Sequence, residues 1–495
     1  MTQNQPHRIA STSLDLFIAA TAVFLLRLVE PATLIPDSYD IAAIGECLWL
    51  NESQWLDCNE VTMGFRPIVP AILLGPFLTF TNSLNSLSIL CTLSIILFLF
   101  CTQRLIQNRI ISTVACILLI AMPTTRQLLG IVDARVLILG PLMWAYLGAS
   151  GESERRIHSL LIGLAAALVA LSRPEHLLSA AIIMLWHHKV NWKNVALRCT
   201  GVLTPIVIWI AYLSHSAGQF VLTPRHWEGW ILEQSEMPLR WSQQLYGMGV
   251  WSPPLRDIAI SFPSPPQATV GLSAWEGIQW ISHHAIDPSL IIFTMGTGMV
   301  LYGAVTNRHW TRNVLVLLAF MLPNLVSTVY PQARDPLFSQ SNLIPSILGL
   351  ILLGLIGFAE FHKKVKSDAL KIALFIGALG YMSAHPLAKA SLPQVHNSEA
   401  GHAYINAYQD SQEGTVIASF ETAPLLYYTK QKWQQHPSPF EERPKAERLI
   451  YSHLDTQLIL PTPLIRGKKA HIEAAYLGNN DQSWVIVYRL EDRNQ

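Results

Sequence analysis

LDLFIAATAVFLLRL, Leu14 to Leu28, is the first of the apolar runs that decide what kind of fold this chain can adopt. No small-residue cleavage site follows it, so it reads as a retained anchor rather than a removed signal. Further runs at about 84–102, 110–122, 133–149, 157–171, 175–188, 197–214, 288–305, 312–330, 341–359 and 369–385 bring the number to eleven, some of them shorter than the ~20 residues of a full span. Of the 495 residues 51% are hydrophobic and 14% charged, whereas soluble domains carry about 25% charged residues. In hydrocarbon only a helix or a closed barrel satisfies every backbone N–H and C=O. The expected fold is therefore an α-helical polytopic membrane protein with about eleven transmembrane helices.

Orientation follows from the basic residues between the runs. Arg104 with Arg109, Arg155 with Arg156, Lys189 and Lys193 with Arg198, Arg308 with Arg312, and Lys363, Lys364 and Lys366 fall at alternate turns of the chain. Alternate turns rich in Lys and Arg face the cytoplasm. Counting from them puts Pro36 to Pro70 outside, together with the long segment 216–284, rich in Trp, and the tail after residue 385. The count holds only if Pro67 to Phe80, with Pro67, Pro70 and Pro76, is a half-helix or interfacial piece and not a twelfth crossing. Residues 1–390 then form the membrane domain, including outer loops 31–66 and 216–284, and residues 391–495 a soluble extracytoplasmic α/β domain. In that tail, strands are expected at 415–420, 456–461 and 484–490, with helices over TAPLLYYT at 422–429 and PFEERPKAERLIYSHL at 439–454.

The stretch Pro36 to Pro70 reads as an acidic loop in which Asp37, Asp40, Glu46, Glu52, Asp57 and Glu60 stand against the single base Arg66. Asp37, just past the first helix and near the edge of the hydrocarbon, suits a general base for a hydroxyl acceptor or equally the cap of a following helix. Tyr39 and Asp40 stand beside it, Asp40 read as capping or solvated. Arg66 is constrained by Pro67 at headgroup depth, where it either meets a lipid phosphate or merely snorkels. Cys47 and Cys58 share the loop; a disulfide between them or two free thiols are the two readings. Cys91, Cys101, Cys116 and Cys199 read as small core residues.

Ionisable groups inside or beside the spans are costly enough to be candidates in their own right. Arg27 and Glu30 lie on one face of the first helix and either pair or contact a phosphate. Asp133, with Arg135, opens a later run and is a second carboxylate near an acceptor or the satisfied N-terminus of a helix. Arg173, Glu175 and His176 around Pro174 line a cavity or pair among themselves. Arg334, near Asp335, reaches a phosphate or its neighbour. The chain has no HExxH or paired CxxC pattern and no phosphate-binding loop or nucleophile elbow. A metal site is thus unsupported by motif, although a divalent cation stays open as a cofactor. No basic stripe of the kind that tracks nucleic acid is present.

Arg27, Asp37-Ser38-Tyr39, Gly64-Phe65-Arg66-Pro67 with Pro70, and Asp133 together resemble the polyprenyl-phosphate-sugar transferases of the GT-C class, in particular the protein O-mannosyltransferase and lipid A aminoarabinose transferase group. That family carries an Asp-Glu motif in its first outer loop and ends the loop with Arg-Pro-Pro. Here the positions read Asp37-Ser38 and Arg66-Pro67-Ile68. The resemblance implies a sugar donor on a lipid phosphate and a glycan, lipid or protein acceptor. It implies a site on the outer face of the cytoplasmic (inner) membrane, in contact with membrane lipid. Asp37 would take the proton of the acceptor hydroxyl, and Arg66, with Arg27, Arg173 or Arg334, would hold the departing phosphate, with inversion at the sugar. The competing expectation is a lipid or glycan transporter whose polar breaks at Arg173 to His176 and Tyr330 to Asp335 line a route across the bilayer.

Overall fold

The first apolar run does form a helix, α1, Gln5–Val29. In the computed structural model the residues described are 5–29, 32–34, 36–53, 68–105, 129–150, 156–173, 176–185, 192–220, 416–418, 448–454, 468–477 and 483–492, with isolated positions such as Cys58, Cys116 and Arg126. The runs expected at 288–305, 312–330, 341–359 and 369–385 lie outside them, apart from Leu348. The chain divides into two compact units, one of Met1–Ala32, Ser88–Ile208 and Val270–Leu392, the other of Thr33–Leu87, Trp209–Thr269 and Pro393–Gln495.

In the first unit, α1 buries Ala19, Ala22, Val23 and Leu26 and exposes Phe17, Phe24, Leu25 and Leu28. A helix apolar on both its packed and its open face suits hydrocarbon better than water. α1 runs antiparallel to α4, Ser83–Leu105. Near one end Arg104 pairs with Asp15 at 3.1 Å and donates to Thr12 Oγ1 at 2.6 Å, and Gln103 donates to the Asp15 carbonyl at 3.0 Å. Toward the other end Arg27 reaches Thr92. After α4 come α5, Ala134–Leu137, α6, Leu139–Ser150, α7, Arg156–Ser172, α8, Leu177–Leu185, and α9, Trp192–Ala217. Among the described residues α4 and the Trp192–His215 part of α9 are long and apolar enough to cross a membrane. α9 leaves Leu203, Val207 and Ile208 exposed, an apolar face like that of α1.

Arg198, one of the basic residues read as marking a cytoplasm-facing turn, is packed between helices. It is fully buried, donating through Nη1 to the Ile183 carbonyl at 3.3 Å and through Nη2 to the Ala149 carbonyl at 3.4 Å. Those carbonyls belong to the last turns of α8 and α6, where the helical ladder leaves acceptors without partners and the dipole favours a cation. Gly163 on α7 and Gly201 on α9 let the two backbones meet beside it, since a Cβ at either glycine would overlap the backbone of the other helix.

In the second unit, the stretch expected to be an acidic loop begins as helix α2, Pro36–Leu50, and ends in helix α3, Ile68–Leu78. Pro36 takes the first helical position, where its missing N–H costs nothing. Tyr39, Ala42, Ala43, Ile44 and Cys47 of α2 pack with Ile68 and Ala71 of α3 and with Leu84 into one apolar cluster. Asp40, read as capping or solvated, is fully buried, and so nearly is Glu46, which accepts from Ser83 Oγ at 2.7 Å. The acid count pointed to a polar outer loop; burial of the apolar residues around them carries Asp40 and Glu46 inside, while Glu52 stays exposed. Cys47 and Cys58 form a disulfide with Cα atoms 5.2 Å apart. At 11 residues α3 is about 16 Å long, half the thickness of a hydrocarbon core.

The C-terminal region forms a four-stranded sheet of β1, Val416–Ala418, β2, Arg448–Leu454, β3, Lys468–Leu477, and β4, Ser483–Asp492, in the order β1-β2-β4-β3. β1 and β2 are parallel, and β4 is antiparallel to both β2 and β3. The strands expected at 415–420 and 484–490 overlap β1 and β4, whereas 456–461 and 422–429 lie outside the described residues. RLIYSHL, expected at the end of a helix, is strand β2: its branched and aromatic side chains fit a pleated surface once β4 supplies a partner.

Candidate functional site

One turn of α4, Cys91 to Ser94, brings together several polar groups of the first unit. Thr92 Oγ1 donates to the Ser88 carbonyl at 2.7 Å, and its lone pair accepts from Arg27 Nε at 3.3 Å. Arg27 Nη1 donates to the Gly130 carbonyl at 3.2 Å. Nη2 of the same guanidinium is buried and has no hydrogen-bond partner among the described residues. A buried N–H donor without a partner is costly.

Asp133 follows the extended residues Ile131–Val132 and caps α5: its backbone is extended, and its Oδ1 accepts from the Ala134 N–H at 2.6 Å. Its Oδ2 lies 3.3 Å from Arg135 Nη1. Both residues are buried, Asp133 at 1% exposure. The Cys91 thiol donates to the Asp133 carbonyl at 3.6 Å, so the turn of α4 that receives Arg27 also receives Asp133. Ser94 completes the arrangement at the break between α5 and α6. Its hydroxyl donates toward the carbonyls of Val136 and Leu137 at 3.0 and 2.8 Å and accepts from Gly140 N–H at 2.9 Å. One side chain thereby supplies the acceptors and donors that a broken helix loses. A Cβ on Gly140 would sit 2.5 Å from the Ser94 carbonyl oxygen, so the break is docked directly on the α4 backbone.

The remaining candidates are dispersed. Asp37 is the second residue of α2, on its first turn, with its side chain outside the described residues. Tyr39, two positions on, is fully buried in the apolar cluster of the second unit. Arg173 and His176 sit at the turn between α7 and α8, both buried; the His176 N–H bonds the Arg173 carbonyl at 2.9 Å, and its Nδ1 lies 3.0 Å from Ser179 Oγ. Glu175, Arg66 and Arg334 lie outside the described residues. Sequence reasoning missed Cys91, Thr92 and Ser94, which it counted as ordinary apolar-helix residues, and Asp15, which it left inside an apolar run. The signal available for Thr92 and Ser94 was a pair of hydroxyls two apart in a span that otherwise needs none. Among the described residues no group of three or more His, Cys, Asp or Glu is placed to hold a metal ion.

No protein-family model and no curated protein matches the chain. Among solved structures, the chain is similar to ArnT from Cupriavidus metallidurans bound to undecaprenyl phosphate, at 11% identity and TM-score 0.49, over 97% of this chain and 98% of that one. It is also similar to the oligosaccharyltransferase of Archaeoglobus fulgidus in its apo form, at 14% identity and TM-score 0.46, over 89% of this chain. The same archaeal protein, AglB, in complex with an inhibitory peptide and a dolichol-phosphate gives 13% identity and TM-score 0.46 over 88% of this chain. The chain spans 62% of the length of the archaeal enzyme in both cases.

Proposed function

We propose that the chain is a GT-C-type membrane glycosyltransferase that moves a sugar from a polyprenyl-phosphate donor to an acceptor hydroxyl on the outer face of the cytoplasmic membrane, with inversion. The observation that carries this reading is Arg27: a guanidinium fixed at two of its three nitrogens, with the third buried and without a hydrogen-bond partner among the described residues. A phosphate oxygen is the acceptor that such a donor edge fits best. The sequence motifs of the first outer segment, Asp37-Ser38 and Arg66-Pro67, support the same assignment. About eleven membrane helices would carry the site, with residues 391–495 as an outer domain, and the disulfide at Cys47 favours an oxidising compartment for α2.

The chemistry needs few groups. The acceptor oxygen attacks the anomeric carbon as its proton passes to Asp37, and the bond from that carbon to the phosphate oxygen breaks. Polyprenyl phosphate, a stable anion, departs, and Arg27 with Arg66, Arg173 or Arg334 stabilises the charge that develops on it. Asp133, which caps α5 and pairs with Arg135, positions that turn beside α4. The test is sugar transfer from a synthetic polyprenyl-phosphate sugar by the purified full-length protein. Asp37→Asn should lower the rate by roughly 10²–10⁴-fold, the contribution of a general base, while donor-lipid binding persists. Transfer by Asp37→Asn at the wild-type rate would remove Asp37 from catalysis.

A further inference from the structure

The site proposed above leaves open whether a divalent cation takes part, and the donor set around Asp133 bears on this directly. A hard cation such as Mg2+ or Mn2+ takes several oxygen ligands and binds carboxylates whose lone pairs it can reach. At Asp133 one carboxylate oxygen is taken by the Ala134 N–H at 2.6 Å and the other faces the Arg135 guanidinium at 3.3 Å. Both residues are more than nine-tenths buried, so the two charges meet in a medium that screens them poorly. A metal approaching Asp133 would have to displace Arg135 or accept a positive charge within contact distance. The neighbouring groups offer little instead: Cys91 is a thiol engaged with the Asp133 carbonyl, and Ser94 is committed to the break between α5 and α6. The described residues around Asp133 do not fit a divalent cation.

We infer that Arg135 is a built-in counter-cation that occupies the place a divalent metal would need at Asp133. Arg135 is then a positioning residue: it neutralises Asp133 and keeps the turn docked on α4 without an ion from solution. The inference concerns the site of the proposed transferase, but its main readout does not depend on that activity.

Thermal unfolding of the full-length protein in detergent, with EDTA and with millimolar Mn2+, tests it on the wild type, Asp133→Asn, Arg135→Gln and Asp133→Asn/Arg135→Gln. The wild-type midpoint should be the same under both conditions. Arg135→Gln, which leaves a buried carboxylate uncompensated, should unfold roughly 3–5 °C lower. Mn2+ should restore part of that loss, because a cation can now reach Asp133, and the double variant should recover without metal. A wild-type midpoint that rises with Mn2+, in a way that Asp133→Asn abolishes, would overturn the inference. So would a double variant no more stable than Arg135→Gln, or one that fails to fold. Absence of sugar transfer with every donor would instead sink the transferase reading and leave these midpoints standing.

Discussion

The polar turn of α4 and the charged face of the C-terminal sheet solve the same problem under opposite conditions. In the sheet, Arg448 of β2 and Arg489 of β4 stand directly opposite each other, with His471 of β3 beyond Arg489, and like charges such as the two guanidinium groups repel when so placed. Glu473, the extra residue of a bulge between Ile472 and Ala474, answers Arg448 with two contacts at 2.7 and 3.1 Å, and Glu491 lies 3.9 Å from Arg489. Glu473, Arg489 and Glu491 are open to solvent, which screens them, and such pairs are individually weak. At α4 the groups are buried or partly buried, and Arg27, Thr92, Cys91, Ser94 and Gly140 N–H each meet a backbone carbonyl or a short hydroxyl. The lesson is that the buried network has far less tolerance for substitution, even though the sheet holds more formal charge.

Three substitutions would sharpen that contrast, and the buried ones come first. Gly140→Ala should cost the most, about 3 kcal/mol, because its methyl group would meet the Ser94 carbonyl and push α6 off α4; the thermal midpoint of the purified protein reads it. Ser94→Ala should cost about 2 kcal/mol, leaving the Gly140 N–H and the Val136 and Leu137 carbonyls without their shared partner. Glu473→Gln should cost less than about 1 kcal/mol, and its effect should depend on pH. The Arg448 guanidinium holds the Glu473 carboxyl below the usual carboxylate range. The stabilisation is therefore full above the unfolded carboxyl's pKa and lost as pH falls through the lower folded value. Wild type and Glu473→Gln should differ at neutral pH and converge in acid. A Ser94→Ala cost as small as that of Glu473→Gln would erase the distinction between the two networks.

Composition and periodicity were sufficient for α4, α7 and α9, because a long run without charge can bury its backbone only as a helix. They were also sufficient to single out Arg27 and Asp133, ionisable groups that an apolar segment must accommodate somewhere. They failed at α2, where six acids in the stretch suggested solvent although Asp40 and Glu46 are carried inside by the alanines and isoleucines around them. They failed again at β2 and β3. RLIYSHL follows a Glu- and Lys-rich segment that reads as helix, and KKAHIEAAYL has little alternation, so only pairing with β4 reveals either as a strand. The partners of Arg27 lie 65 and 103 residues away along the chain, a separation that local pattern does not encode.

Retention of polyprenyl phosphate by the purified protein, followed by native mass spectrometry, tests the role of Arg27 most directly. Wild type should hold one lipid phosphate per chain. Arg27→Gln should weaken retention roughly 10-fold or more, the loss of a charge-assisted contact of about 1.5–3 kcal/mol, with Arg27→Lys in between. Equal retention by wild type and Arg27→Gln would contradict the account, since the unpartnered edge of that guanidinium would then serve no phosphate.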